Sequence, residues 1–195
     1  RVLPQAQLPP GQLRFDLQYH GRDVSVLSLY PELREAGPLR VEVWGLDPWR
    51  LRGVVVDEEP VPSPRIAIDA AGRRLVTGRA DGSVSLFDIL DGSSRTMSGR
   101  HTADVIDSSF SRDGKLIASG SSDGQAIVWN AESGRPVHIL EAHTAKIFAP
   151  GFSPDGRTLY TAGLDGATIA WDLAGSRLLG QSFPLRPVAP PGSVP

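Results

Sequence analysis

Three Asp-Gly pairs, Asp81-Gly82, Asp123-Gly124 and Asp165-Gly166, stand 42 residues apart in a chain of 195. Other positions keep the same step: Ile68, Phe110 and Phe152; Gly72, Gly114 and Gly156; Thr77, Ser119 and Thr161; Phe87, Trp129 and Trp171. Five series in register at one period mark an internal repeat, and a repeat of this length is one supersecondary unit that buries its apolar faces only by stacking on its neighbours. Histidine opens the last two units at His101 and His143, whereas Glu59 holds the matching position one period earlier.

Within the unit that opens at His101, short apolar stretches cover Val105 to Phe110, Leu116 to Ser119, Ile127 to Trp129 and Val137 to Leu140. Arg112-Asp113-Gly114, Ser122-Asp123-Gly124 and Glu132-Ser133-Gly134 separate them. Asp-Gly between apolar runs is a strong short hairpin signal, read here as a two-residue turn with positive φ at both central residues. Each unit is therefore predicted to be a four-stranded antiparallel meander. With 21 glycines and 17 prolines the chain has no room for a helical bundle or a doubly wound α/β sheet, and 40% hydrophobic residues supply a core.

The segment His101 to Asn130, with His-Thr-Ala-Asp-Val, Phe-Ser-Arg-Asp-Gly, Ala-Ser-Gly-Ser-Ser-Asp-Gly and Ile-Val-Trp-Asn, resembles a WD40 repeat. The stretch from His143-Thr144-Ala145 through Phe152-Ser153-Pro154-Asp155-Gly156 and Leu164-Asp165-Gly166 to Trp171-Asp172 resembles a second. Val61 to Arg100 resembles the same family with Phe87-Asp88 in place of Trp-Asp. The resemblance implies an all-β, WD40-type β-propeller, incomplete: a degenerate blade over 61–100 and blades over 101–142 and 143–183. Residues 1–60 are either a divergent first blade, with Trp44 as its closing aromatic, or an N-terminal β segment. Pro184 to Pro195, with five prolines in twelve residues, reads as an extended linker or tail. The run Ile169 to Arg177 also looks like the arrays of large multidomain bacterial regulators.

His101, Ser119 and Asp123 are the side-chain types of a hydrolase triad, and His143, Thr161 and Asp165 repeat them. Ser119 lies in a strand rather than in a Gly-x-Ser-x-Gly elbow, and a set duplicated at the repeat period is a structural part. By resemblance to WD40 blades, His101, Ser119, Asp123 and Trp129 form one hydrogen-bonded chain, and His143, Thr161, Asp165 and Trp171 another. The degenerate blade keeps Thr77 and Asp81, but Phe87 has no N–H and Glu59 is no imidazole. That blade is expected to be less tightly specified. The glycine of Gly78 and Gly120 is shifted by one to Gly163, with Ala162 at the matching position.

The absence of cysteine excludes disulfides, thiolate catalysis and cysteine-held metals. No metal site is expected: His138 and His143 fall on different strands, and Asp113-Gly114 and Asp155-Gly156 lack calcium-loop spacing. Neither a phosphate-binding loop nor a dinucleotide fingerprint is present, so no cofactor is implied. A net charge of −2 speaks against a nucleic-acid footprint, and no apolar run reaches membrane-spanning length. The expected location is the cytoplasm.

The family's partner surface is the rim formed by the loops before the first strand and between the second and third. Carried over by position, it comprises Asp104, Ile106 and Ser122 in one blade, Lys146, Phe148 and Leu164 in the next, and Ala80 in the degenerate one. The function these features imply is a non-catalytic scaffold that binds protein partners at that rim. The alternatives are a propeller-based hydrolase, for which only Asp104 and Asp107 are channel acids, or a small-ligand channel in a larger closed ring. Four blades leave two uncovered flanks, each expected to be apolar, to be met by further blades of a longer chain or by a second copy. A first residue other than Met and the proline tail favour the longer chain.

Overall fold

The computed structural model describes residues 17–20, 24–29, 39–46, 49–57, 66–148, 150–174 and 183–184. Sixteen strands in these residues form four separate four-stranded antiparallel sheets, each a meander in chain order. The first sheet holds β1 (Leu17–His20), β2 (Val24–Leu29), β3 (Leu39–Leu46) and β4 (Trp49–Asp57). The second holds β5 (Ile66–Ile68), β6 (Arg74–Gly78), β7 (Val84–Asp88) and β8 (Ser94–Thr96). The third is built from β9 (Val105–Phe110), β10 (Leu116–Ser121), β11 (Gln125–Asn130) and β12 (Pro136–Glu141). The fourth is built from β13 (Gly151–Phe152), β14 (Thr158–Ala162), β15 (Ala167–Asp172) and β16 (Phe183–Pro184). No helix among the described residues is long and apolar enough to cross a membrane.

The sheets stack face to face. Val41, Val43 and Val55 of the first pack with Ile66, Ile68, Leu75 and Phe87 of the second. Val76, Val84, Leu86 and Met97 on the opposite side of the second sheet meet Val105, Ile117, Ile127 and Trp129 of the third. Ala118, Ala126, Val128 and Leu140 then meet Ile147, Leu159, Ile169 and Trp171. Interior strands are therefore buried on both faces, which is why β7 and β11 read as near-continuous apolar runs instead of alternating.

The last flank differs from the expectation of an apolar face. Where Val76 and Ala118 are fully buried, the repeat places Tyr160, which is 47% exposed. Thr168 and Ala170 replace the buried pairs Val84/Ala126 and Leu86/Val128 and are half-buried. Thr168 puts one hydroxyl on a face whose counterparts in the second and third sheets are apolar.

The tight turns also differ. Positive φ occurs only at glycine among the described residues, so Asp81, Asp123 and Asp165 keep ordinary backbone while Gly82, Gly124 and Gly166 take φ of 85°, 81° and 77°. Each turn closes with a glycine N–H donating to the carbonyl three residues back: Gly82 to Arg79, Gly124 to Ser121, Gly166 to Gly163. A type I turn followed by a left-handed glycine reverses the chain as well as the expected two-residue turn. It also leaves each aspartate free to receive the N–H two residues on, at Ser83, Gln125 and Ala167.

Pro184, placed at the head of the tail by its composition, instead pairs with Ala167 as the last residue of β16. An outermost strand accepts proline because its outer N–H has no ladder partner to lose.

Candidate functional site

Two hydrogen-bonded chains sit at one end of the third and fourth sheets. In the third, Trp129 on β11 donates its indole N–H to Ser119 Oγ on β10 over 2.9 Å. Ser119 Oγ lies 2.8 Å from His101 Nε2, and His101 Nδ1 lies 3.2 Å from Asp123 Oδ2. The indole only donates, so the hydroxyl accepts it and passes its own proton to Nε2, which leaves Nδ1–H to face the carboxylate. Asp123 is completed by the backbone N–H groups of Thr102 (2.8 Å) and Gln125 (2.9 Å).

The fourth sheet repeats this atom for atom. Trp171 Nε1 donates to Thr161 Oγ1 at 2.8 Å, Thr161 Oγ1 lies 2.8 Å from His143 Nε2, and His143 Nδ1 is 3.0 Å from Asp165 Oδ2. Thr144 and Ala167 donate their N–H groups to Asp165.

The second sheet does not build this chain. Asp81 turns its carboxylate onto its own turn, taking the N–H and the hydroxyl of Ser83 at 2.9 and 2.6 Å. Thr77 is fully buried, Phe87 is 3% exposed in the core, and Glu59 and the side chain of Trp44 lie outside the described residues.

Two arginines that break the repeat tie the second sheet to the third. Arg74 on β6 bonds the Asp69 carboxylate (2.8 Å) and reaches across to the Gly114 carbonyl (2.7 Å), with its guanidinium 5.6 Å from the centroid of the Phe110 ring. Arg95 on β8 donates to the carbonyls of Ala131 and Glu132. A search for periodic positions passes over both, since Leu116 and Thr158 stand where Arg74 would repeat.

The electrostatics follow burial. Burial pushes the His101 imidazole below its ordinary value, outweighing the pull of the Asp123 carboxylate. For Asp123 burial acts upward, but the N–H groups of Gln125 and Thr102, then His101, hold the carboxyl below the usual range. The same balance, with Ala167, Thr144 and His143 as the lowering partners, lowers Asp165. A histidine lowered in the folded state costs nothing while neutral and penalises folding once protonated, so its penalty grows as pH falls below about 6.5. The lowered carboxylates add stability above their ordinary value near 4, which is lost as pH falls further. Asp123→Ala should lower the unfolding free energy at pH 7 by about 1–3 kcal/mol, because it leaves His101 Nδ1–H and two backbone donors short of an acceptor. In the unaltered chain, stability should decline between pH 7 and 4. Urea midpoints across that range check both, and a flat profile with an unchanged Asp123→Ala midpoint would remove the network as a source of stability.

Chemically, the sets hold the contacts of a Ser-His-Asp triad without its exposure. Ser119, Thr161 and the imidazoles of His101 and His143 are buried, and each hydroxyl already receives an indole N–H. Asp107 accepts the N–H of Ser108, and both it and Asp104 are half-buried on one sheet. Among the described residues, no three or more His, Asp or Glu side chains are grouped to hold a metal ion.

The rim positions fall at the same end as the tight turns. Ser122 N–H donates to the Asp104 carbonyl (3.0 Å), and Leu164 N–H donates to the Lys146 carbonyl (2.8 Å). Phe148 N–H donates to Ala162 (2.9 Å). Bonds from Val105 to Arg79 and from Ile147 to Ser121 carry this edge from one sheet to the next. Leu164 is 60% exposed, Lys146 and Ala80 are exposed, and Asp104, Ile106, Ser122 and Phe148 are half-buried.

Residues 93–130 and 134–172 match the WD40 family, WD domain, G-beta repeat. These two stretches are WD40 repeats. No curated protein matches the chain. Among solved structures it is similar to a chain of the crystal structure of a mitotic checkpoint complex, at 19% identity and a TM-score of 0.69 over 91% of its own length. It spans about half of that chain, 54%. The fold is an incomplete WD40-type β-propeller built from four-stranded antiparallel sheets.

Proposed function

We propose that the chain is a non-catalytic scaffold that binds a protein partner at the rim carrying Asp104, Ile106, Ser122, Lys146, Phe148, Leu164 and Ala80. One observation carries the reading: Leu164, a large apolar side chain at 60% exposure, is held on a backbone-bonded edge beside Lys146. An exposed apolar anchor on a rigid edge is the kind of group that dominates protein interfaces. The structural relative belongs to a mitotic checkpoint complex, which supports partnership with proteins as the general role of the fold. In this reading residues 1–60, 61–100, 101–142 and 143–183 are successive blades. The duplicated buried His-Asp sets are struts that keep the rim rigid, and no cofactor, metal, membrane or nucleic acid takes part.

A photo-crosslinking side chain placed at Leu164 should capture a protein partner in cells. The same group at Leu90, equally exposed at 60% but in the β7–β8 turn at the other end of the blades, should not. Lys146→Glu should reduce capture at position 164 while leaving the melting temperature unchanged. Equal capture at both positions would defeat the rim assignment.

A further inference from the structure

We propose that the cleft between the second and third sheets, at the end opposite the rim, binds a small organic oxyanion. Its charged head would meet Arg95 and Lys115, and its apolar body would lie over Leu86 and Ala131. The cleft has a volume of about 520 Å³ and is lined by the ends of β7 and β11, the start of β8 and the β9–β10 turn. Small-molecule sites have this size and this makeup, an apolar lining with a few placed polar groups. Leu86 and Ala131 line it and belong to the buried cluster that joins the two sheets. Arg74 closes one side, held by the Asp69 carboxylate and the Gly114 carbonyl. Arg95 is not demanded by the repeat, since Val137 stands at its position one period later.

The polar groups left over in this cleft are mostly donors. Arg95 gives N–H groups of its two terminal nitrogens to the carbonyls of Ala131 and Glu132, and no carboxylate among the described residues pairs with it. A guanidinium has five N–H groups, so others remain for a ligand, Nε–H among them. Lys115 Nζ is 3.7 Å from Asp113 on a side chain that is 79% exposed, a loose pairing that an incoming anion can share. Asn130 spends its side-chain oxygen on the N–H groups of Glu132 and Ser133, which leaves its NH2 group without a partner. Two of the acids are better matched. Asp88 takes Arg73 at 2.8 Å and the Leu90 N–H at 2.9 Å, and Asp113 takes the Ser111 hydroxyl and the Lys115 N–H. Glu132 is exposed at the lip and opposes an anion. A guanidinium and an ammonium beside a neutral amide donor suit the oxygens of a carboxylate or a phosphate.

In proton–nitrogen correlation spectra of the full chain, phenyl phosphate or benzoate should produce saturable shifts at the Gly114, Lys115 and Ala131 amides. Benzyl alcohol, the ring without the charge, should produce none. Tighter phenyl phosphate assigns the head to a phosphate monoester, and tighter benzoate assigns it to a carboxylate. Arg95→Gln should weaken binding at least roughly tenfold. Lys115→Gln should weaken it severalfold, and Glu132→Gln should tighten it by removing an opposing charge. Arg95 also ties two sheets together, so the two exposed positions decide the matter should Arg95→Gln fail to fold. The proposal is overturned if neither anion saturates below roughly 10 mM, if benzyl alcohol gives equal shifts, or if Lys115→Gln and Glu132→Gln leave the affinity unchanged.

Discussion

Trp129→Ala should lower the unfolding free energy by about 3–5 kcal/mol, the range for removing a large buried aromatic side chain. Trp129 is fully buried in the cluster that joins the second and third blades, so its loss opens a cavity between two blades rather than inside one. It is also the head of a hydrogen-bonded chain of four side chains, ending at Asp123. Trp129→Phe separates the two contributions: most of the apolar volume stays, the indole donor goes, and the expected cost is about 1–3 kcal/mol. The second blade already lives with phenylalanine at this position, where Phe87 is equally deep and Asp81 bonds to Ser83 instead of a histidine. Urea unfolding of both variants gives the comparison. A neutral Trp129→Phe would mean the chain of bonds adds nothing to packing. A Trp129→Ala cost below about 1 kcal/mol would mean the contact between blades does not hold them together.

A second large effect is expected from a graded series at the tight turns. Gly82→Ala, Gly124→Ala and Gly166→Ala each force alanine into left-handed backbone, at φ of 85°, 81° and 77°. That alone costs about 1–2 kcal/mol at each site. The surroundings differ. A methyl group at Gly82 would lie 2.3 Å from the carbonyl oxygen of His101, and at Gly124 it would lie 2.9 Å from that of His143. At Gly166 nothing stands within 4 Å. Overpacking against backbone, which cannot swing aside, adds roughly 1–3 kcal/mol. The expected order of loss is therefore Gly82, then Gly124, then Gly166, with about 2–5 kcal/mol at the first and 1–2 at the last. Thermal melts of the three variants read the order directly. Equal losses would show that backbone strain acts alone and that the turns do not carry the next blade.

This series also explains why the Asp-Gly period is so regular. The aspartate is set through the N–H two residues on and the glycine by the left-handed backbone of its own turn, and at Gly82 and Gly124 the following blade adds a histidine carbonyl against the turn. Gly78 and Gly120 obey the same rule: a methyl group there would meet the side chains of Val105 and Ile147, at 2.2 and 2.6 Å. Ala162, the matching residue of the fourth blade, breaks the period on a flank that no described blade covers.

The period of 42, the Asp-Gly turns and the His, Ser/Thr, Asp and Trp positions were legible from residues alone, because each blade solves the same local problem with the same side chains. Strand bounds followed unevenly: Val105–Phe110 is as expected, Leu116–Ser121 and Pro136–Glu141 run slightly longer, and Gln125–Asn130 extends well past the Ile127 to Trp129 stretch on both sides. Tertiary structure decided what depends on a neighbour. It turned the last flank toward Tyr160 and Thr168, kept the turn aspartates out of left-handed backbone, and gave Arg74 and Arg95 carbonyls of the next blade to hold. A repeat records the contacts every copy makes. The places where one blade meets a particular neighbour, or meets none, are made by the residues that depart from it.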